Sequence, residues 1–476
     1  MTNRVKVLFY NMGWLMVSQI IASICAFFWT ILIARYLGPS EFGIMGTAVS
    51  VSSTFIFLAD FGISSYIIRA ISTDMDHESK YLDNSLTLKL FLSIGYFIVT
   101  CASLLILGWN NYIILICLLF SFESVIKTFQ DILFASFKAH EIMKFQAYVT
   151  IFINVSLLLC LILVSYTNFG LIGVSVVYIF VNLIALVYDF YLVRKHIIKP
   201  KLSINKDFFK FLIKSGFPFA ASGFLYTIYY SIDIIMLTQF SSTYDTGLYN
   251  SAYKLISVLT LFYVVYTSAV FPVMSKLFKN EKNLLNISFI KSIKYLLLAT
   301  IPIAVFIFFY GFDIINIYGS DYDGAADVLK ILIWTVCFLF VNGACSLILN
   351  ASYKEFSVTK IYLIAAIFNV VLNSFLIPHY SFYGAAVATI LSEILILILE
   401  LYMINKINQL PDKKLGIDIM KIIVSSFVVG IVLWIFNLNM WVAMIISLGV
   451  YFILVFLFKI FDETDKMIIN QIIKGA

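Results

Sequence analysis

Long apolar stretches recur along the chain, parted by short polar or Gly/Pro-containing breaks, and this pattern predicts the elements. A membrane-spanning helix needs about 20 mostly apolar residues. Fourteen such stretches are present: 10–34, 42–68, 86–107, 111–136, 145–166, 170–193, 213–239, 247–275, 289–310, 326–350, 357–377, 382–404, 418–437 and 439–460. Only Asn437-Leu438-Asn439 parts the last two. The expected fold class is all-α integral membrane.

The polar segments orient the spans. With the N-terminus cytoplasmic, all of the 32 Lys and Arg except Arg35, Lys127, Lys254 and Lys330 fall in cytoplasmic loops or at cytoplasmic span ends. The largest such loop carries Arg194, Lys195, Lys199, Lys201, Lys206, Lys210 and Lys214. Outer loops carry acids instead: Glu41, Asp245, Asp313, Asp321 and Asp323. This asymmetry places both termini in the cytoplasm.

Composition narrows the classes further. Charged residues make up 12% of the 476 and hydrophobic ones 62%, against about 25% charged in an average soluble domain. A net charge of +6 is too mild to suggest nucleic acid. The six cysteines all lie in apolar runs without a C-x-x-C pair, and the four histidines are scattered in sequence. Neither a disulfide framework nor a metal site is expected. No Gly-Lys dipeptide occurs, so no P-loop and no ATPase are expected. The first apolar stretch exceeds a signal-peptide core and reads as a retained span. The longest outer segment, 311–325, holds no His or Arg, which argues against an enzyme with a catalytic outer loop.

The halves look related. Ala135-Ser136-Phe137-Lys138 recurs as Ala351-Ser352-Tyr353-Lys354, Asn154 as Asn369, and Glu41-Phe42-Gly43 echoes Asp245-Thr246-Gly247. An even number of spans per half keeps both copies in one orientation, a parallel repeat. The expected division is a six-helix bundle over 1–200, a second over 201–410, and two additional helices over 411–476.

Ionisable groups inside spans are costly and mark cavities or protein-facing sides. Asp60 shares a helix face with Ser50, Ser53 and Ser64. Glu123, Lys127 and Asp131 stand at i, i+4 and i+8, which suits a self-neutralising ladder and an aqueous path equally. Asp233 lies with Tyr226, Tyr229 and Tyr230 on one broad side of span seven. Neither Asp60 nor Asp233 has an oppositely charged neighbour at i±3 or i±4, which favours a cavity role. Lys254 in span eight has no acid one turn away either, and pairing with Asp233 or Asp60 across helices is its structural alternative. Pro218, Pro272 and Pro302 would kink their spans.

Three landmarks carry a family resemblance. Ala34-Arg35-Tyr36-Leu37-Gly38-Pro39-Ser40-Glu41-Phe42-Gly43 resembles the first outer loop of the polysaccharide-biosynthesis flippases, the Wzx-type exporters of lipid-linked oligosaccharides. Leu58-Ala59-Asp60-Phe61-Gly62 and Tyr318-Gly319-Ser320-Asp321-Tyr322, leading into Ala325-Ala326, are similar to two further landmarks of that family. The resemblance implies the multidrug/oligosaccharidyl-lipid/polysaccharide exporter superfamily, whose two bundles form a V around a central cavity. It also implies alternating access, an undecaprenyl-diphosphate-linked oligosaccharide as cargo, and a bacterial inner membrane location. No cofactor is expected beyond coupling to H+ or Na+. The implied partners are the glycolipid, membrane lipids, the polysaccharide polymerase and the chain-length regulator. On this reading Arg35, Lys127 and Lys254 hold the diphosphate, while Asp60, Glu123, Asp131 and Asp233 line the cavity or bind a coupling ion. The competing expectations are a cation-coupled multidrug exporter and a lipid II flippase.

Overall fold

The structure is a computed structural model that describes residues 2–407, 413–463 and 465. Among the described residues every regular element is a helix. The cause is the solvent: a bilayer offers no water to backbone N–H and C=O groups, so each span must satisfy them internally. In chain order the helices are α1 (Thr2–Phe55), α2 (Phe57–Asp60), α3 (Ile63–Thr73), α4 (Glu78–Leu107), α5 (Asn111–Ala139), α6 (Lys144–Ser165) and α7 (Gly170–His196). They continue as α8 (Lys206–Phe240), α9 (Thr243–Asn280), α10 (Lys282–Ile315), α11 (Ala325–Ala351), α12 (Glu355–Lys406), α13 (Lys413–Phe436) and α14 (Met440–Leu457).

Ten helical stretches are long and apolar enough to cross a membrane, or eleven with the bent pair 206–221 and 223–240 taken as one span. Two of the ten hold more than one crossing. At 54 and 52 residues, α1 and α12 each extend about 80 Å, against a hydrocarbon core about 30 Å thick. Each is broken where the sequence breaks. Gly38 takes φ 70° ahead of Pro39 in α1, and Ser381 takes φ 49° three residues after Pro378 in α12. Dividing both turns the eleven into thirteen, and with α9, which covers the expected span 247–275, the helices are consistent with the fourteen expected spans. The narrow final division is present as well: Asn437 adopts φ 38° and the Asn439 side chain caps α14 through Trp441 N at 3.1 Å.

The proline expectations meet different outcomes. A 44° bend follows Pro218 within α8. In α10 the non-helical residue is Tyr310, not Pro302.

Contacts divide the chain into two compact units, Met1–Asn250 and Ser251–Ala476. In the first, α1 packs along α5 and α6, α5 along α7, and α3 between α5 and α8. Its core joins Ile63, Ile67, Leu82, Ile132, Leu133, Ala185, Val193 and Leu212. Association inside a bilayer depends on close packing rather than on expulsion of water, so small residues mark the tightest crossings. A Cβ on Gly43 would collide with Thr243 O, and one on Gly247 with Pro39 O. The two loops that echo one another in sequence therefore pack backbone to backbone.

In the second unit α11 is the buried centre, flanked by α10 and α12, with α13 and α14 laid against α10. Tyr451 Oη donates to Leu298 O and Tyr310 Oη to Leu438 O, both at 2.8 Å. Beyond α14, Asp465 accepts from Lys291 at 2.6 Å, Lys294 at 2.7 Å and Tyr295 at 2.5 Å, while Asp462 accepts from Lys291 and Lys414. Burial pushes the Asp465 carboxyl up. The hydrogen bonds from Lys291, Lys294 and Tyr295 outweigh it and hold the group below the usual carboxylate range. The expected boundary at 410–411 lies outside the described residues.

Candidate functional site

The second span, expected to be continuous over 42–68, is interrupted twice. α1 ends at Phe55, α2 is a single turn, and Phe61 and Gly62 both take left-handed conformations before α3 begins. Glycine is needed at 62 for a second reason: a Cβ there would collide with Gly216 O of α8. The break leaves Asp60 beside the first turn of α3, where free N–H groups favour an anion. Ser64, one turn on, donates to Asp60 Oδ1 at 2.5 Å.

The counter-charge comes from α4. Lys89 Nζ lies 2.5 Å from Asp60 Oδ1 and donates to Ser64 Oγ at 2.8 Å and to Thr128 O of α5 at 2.5 Å. The Lys89 side chain is 0% exposed and that of Asp60 23%. One ammonium thus joins the broken span, α4 and α5. Its three donors all have acceptors, as a buried ammonium requires.

Lys89 is the main correction to the sequence reading, which counted it among the cations at cytoplasmic span ends. It is an interior cation, and it supplies the partner that Asp60 lacked along its own helix. The signal was present in the sequence. Ser85, Lys89, Ser93 and Tyr96 fall at helical spacing on α4, and all four are buried. The alternative pairing of Asp60 with Lys254 is replaced by this contact.

The triplet on α5 divides by role. Glu123 is buried and accepts from Lys127 at 2.6 Å and from Asn182 Nδ2 of α7 at 3.0 Å. Lys127 is half exposed. Asp131 is exposed and makes no ion pair or hydrogen bond among the described residues, yet it stands within electrostatic reach of Lys89 and Asp60. The ladder is therefore one ion pair and a separate carboxylate. Asn182, which sequence reasoning did not single out, fixes Glu123 from across the helix interface.

Asp233 is buried on α8 and accepts from Tyr249 Oη of α9 at 2.9 Å. Tyr229 is buried edge-on to Tyr230, while Tyr226 is exposed with its ring 4.6 Å from that of Tyr230. Arg35 is exposed, one turn before the Gly38 break. Lys254 is half-buried on α9 and belongs to the second unit. The structure thus brings together Asp60, Asp131, Glu123 and Lys127 around Lys89 and Asn182.

The family landmarks have packing roles. Tyr36 Oη donates to Thr167 O at 2.8 Å and accepts from Gly170 N at 2.9 Å. Glu41 accepts from Tyr112 Oη at 3.1 Å, and Phe42 is fully buried. Gly319 turns at φ 107° between buried Tyr318 and Tyr322, whose rings stand 5.6 Å apart.

Paired charges inside long apolar helices define a multi-pass membrane protein, and solved structures share its fold. The lipid II flippase MurJ in an inward closed conformation is similar with a TM-score of 0.78, covering 93% of this chain and 98% of that one at 18% identity. An inward-facing multidrug resistance MATE family transporter of the MOP superfamily gives 0.66, covering 80% and 94% at 12% identity. The fold is thus one that a flippase and a transporter share.

The family model described as polysaccharide biosynthesis protein matches residues 8–278, more than half of the chain, and the chain belongs to that family. The MatE model matches residues 218–375. Among relatives, an uncharacterized membrane protein of Methanocaldococcus jannaschii is 30% identical over 63% of this chain and 62% of its own length. The capsular polysaccharide biosynthesis protein CapF of Staphylococcus aureus is 22% identical over 83% of this chain and 99% of that one. The probable low-salt glycan biosynthesis flippase Agl15 of Haloferax volcanii is 28% identical over 34% of each chain.

Proposed function

We propose that the protein flips an undecaprenyl-diphosphate-linked oligosaccharide from the cytoplasmic to the outer leaflet of a bacterial plasma membrane, supplying surface polysaccharide such as capsule or O-antigen. The observation that carries this reading is the match of the polysaccharide biosynthesis family over residues 8–278. The name of the Haloferax relative, a probable glycan biosynthesis flippase, supports the flipping step, and that of CapF supports a surface polymer.

A lipid-linked cargo has a polyprenyl tail to accommodate. Two apolar grooves of about 600 and 620 Å³ flank α10 in the second unit. One is lined by Leu298, Pro302 and Phe306 with Met444, Leu448 and Tyr451 of α14. The other runs between α10, α11, α12 and α13. Both suit hydrocarbon. The sequence repeat supports alternating access by bundles 1–200 and 201–410, with both termini cytoplasmic as the distribution of positive residues argues. Coupling to H+ or Na+ completes the proposal, with Arg35, Lys127 and Lys254 on the diphosphate. The polymerase and chain-length regulator remain its proposed protein partners.

The test is the sidedness of lipid-linked oligosaccharide in cells depleted of the protein. Accumulation on the cytoplasmic leaflet with loss of surface polymer is the expected result. Normal sidedness with new sensitivity to cationic drugs would turn the reading to a multidrug exporter, which the MatE match over 218–375 favours as the second choice. Blocked cell-wall synthesis with surface polymer intact would instead indicate lipid II as cargo.

A further inference from the structure

Among the described residues, one buried carboxyl in each unit, Asp189 and Glu400, has no ion pair, and their surroundings correspond. Asp189 lies on α7, seven residues before its end at His196, and Glu400 on α12, six residues before its end at Lys406. Both side chains are 0% exposed. Neither oxygen of Asp189 has a hydrogen-bond partner. Glu400 Oε1 accepts from Ser346 Oγ of α11 at 2.5 Å, and Oε2 has no partner.

Seven residues before each acid, on the same helix face, stands one half of an amide–carboxylate bond. Before Asp189 it is Asn182, whose amide donates to Glu123 of α5 at 3.0 Å. Before Glu400 it is Glu393, which accepts from Asn342 of α11 at 2.7 Å. Amide and carboxylate have exchanged helices, but the arrangement is the same. A cross-helix polar clasp is followed two turns later by a lone acid, on the sixth span of each repeat. A repeated feature of this kind is hard to ascribe to chance burial of one polar residue.

An ionised carboxylate without donors is far costlier to bury than the neutral acid. The charges around these two groups do not relieve that cost. Ala185, Leu192 and Val193, each one turn from Asp189 along α7, belong to the apolar core that also holds Ile132 and Leu133 of α5. From α5 the charged group acting on it is Asp131, of like sign. On α6 the titratable side chains are Lys144, held over the Phe145 ring, Tyr148 and Cys160. Where α1 meets α7 the contacts are Trp29 on Tyr178 and Tyr36 on Gly170. On α7 itself the end carries Arg194, Lys195 and His196, with His196 Nδ1 at Leu192 O. Around Glu400 the corresponding groups are Cys345 of α11, Glu393 and Tyr362 of α12, and Tyr263 of α9, whose field reaches Tyr362. Asp327 and Lys330 of α11 pair with each other at 2.9 Å near that helix's N-terminus.

We propose that Asp189 and Glu400 are proton-binding sites, one per unit, and that loading and release of their protons closes and opens the α5–α7 and α11–α12 seams. The inference rests on the flippase reading for its purpose and names the proton as the coupling ion. With the proton bound, each acid packs as a neutral group. Once the proton leaves, a bare charge lies in a dry seam, and the helices must part to admit water. Exposed Asp131 gives Asp189 an adjacent carboxylate through which the proton exchanges with water. Asp60, bound to Lys89, is not the coupling site on this view.

The experiment is infrared spectroscopy of the purified full-length protein at neutral pH. The expected result is a carbonyl-stretch signal of protonated carboxylic acid that loses one component in Asp189→Asn and another in Glu400→Gln. Both replacements mimic the neutral acid in size, so folding is retained. A signal left unchanged by either variant, or absent from the wild type, overturns the proposal. A second readout needs no variant in the reference sample: amide hydrogen exchange, corrected for intrinsic rate. Exchange in α5 and α7 should rise as the wild type is taken from neutral to alkaline pH, and stay flat in Asp189→Asn. A rise of equal size in that variant also overturns the proposal. Neither measurement uses glycolipid, so a failed sidedness assay would sink the flippase reading and leave these outcomes standing.

Discussion

Replacing Asp60 with Asn tests whether the ion pair at the broken span holds the first unit together. Asparagine keeps the shape and one acceptor oxygen but removes the only counter-charge in contact with Lys89 among the described residues. The ammonium would keep Ser64 Oγ and Thr128 O while remaining fully buried. Removing one partner of a buried pair costs about 3–5 kcal/mol. The low end applies here, because Asp60 is 23% exposed and the pair is not enclosed on every side. For a unit of this size each kcal/mol moves the melting temperature by about 2–4 °C, so a fall of roughly 6–12 °C is expected. Lys89→Met should cost less, since the remaining carboxylate keeps water and Ser64. The double variant removes both charges and fills the space with an apolar chain, which is often neutral or stabilising. It should recover most of the loss. Unfolding can be followed in detergent with a thiol-reactive fluorophore, because Cys25, Cys117, Cys337 and Cys345 are buried. Small shifts that simply add in the double variant would show that the two side chains are not energetically coupled, and the argument from burial would fall.

Three further outcomes follow from particular contacts. Gly43→Val and Gly247→Val place a side chain into opposing backbone, so each should abolish monodisperse expression on size-exclusion chromatography, whereas Gly95→Val, with open space around it, should not. Lys127→Met removes an i, i+4 pair whose lysine is half exposed and whose Glu123 is buried but still bound by Asn182; the melting temperature should fall less than in Asp60→Asn, where the ammonium left behind is fully buried, and an equal or larger fall would show the pair to be structural. Asp465 contributes stability that is fully present above its unfolded pKa of about 3.9 and is lost as pH falls through its lower folded value. Proteolysis within residues 458–463 should therefore begin only in acid below about pH 4, and Asp465→Asn should admit cleavage there at neutral pH.

Much of the architecture was legible because membrane spans announce themselves by length and hydropathy. The Asn437–Asn439 division and the Gly38-Pro39 break are seen where residue chemistry puts them. Composition could not show that the second span is broken at Phe61-Gly62, since Phe61 gives no warning of a left-handed conformation and Gly62 alone is common in spans. The ionisable groups were harder. Counting charges by distance from a loop assigns Lys89 to the cytoplasmic end, yet the buried stripe of Ser85, Lys89, Ser93 and Tyr96 shows a polar helix face turned inward. Asp189 and Glu400 were passed over for the same reason, because each stands close to a span end that is rich in charge. Cross-helix partners such as Asn182 for Glu123 are set by which faces meet, and a single sequence does not carry that information.

The two interior lysines of the first unit differ in what an anion could take from them. Lys89 has three acceptors and no exposed surface. A diphosphate could reach it only by displacing Asp60 and opening the junction of α2, α4 and α5, at a cost of several kcal/mol. Lys127 is half exposed, and its partner Glu123 keeps Asn182 as a second donor when the lysine leaves. Exchanging Glu123 for an incoming phosphate at Lys127 therefore leaves the buried carboxylate with the Asn182 hydrogen bond and costs less than breaking the fully buried Lys89 pair. Of the neighbouring helices α4 and α5, one can thus carry a fixed charge and the other an exchangeable one, the difference lying in whether the partner left behind is still hydrogen-bonded. On the flippase reading Lys127 is the side chain that meets the headgroup, and Lys89 is the one that keeps the broken span in place while it does so.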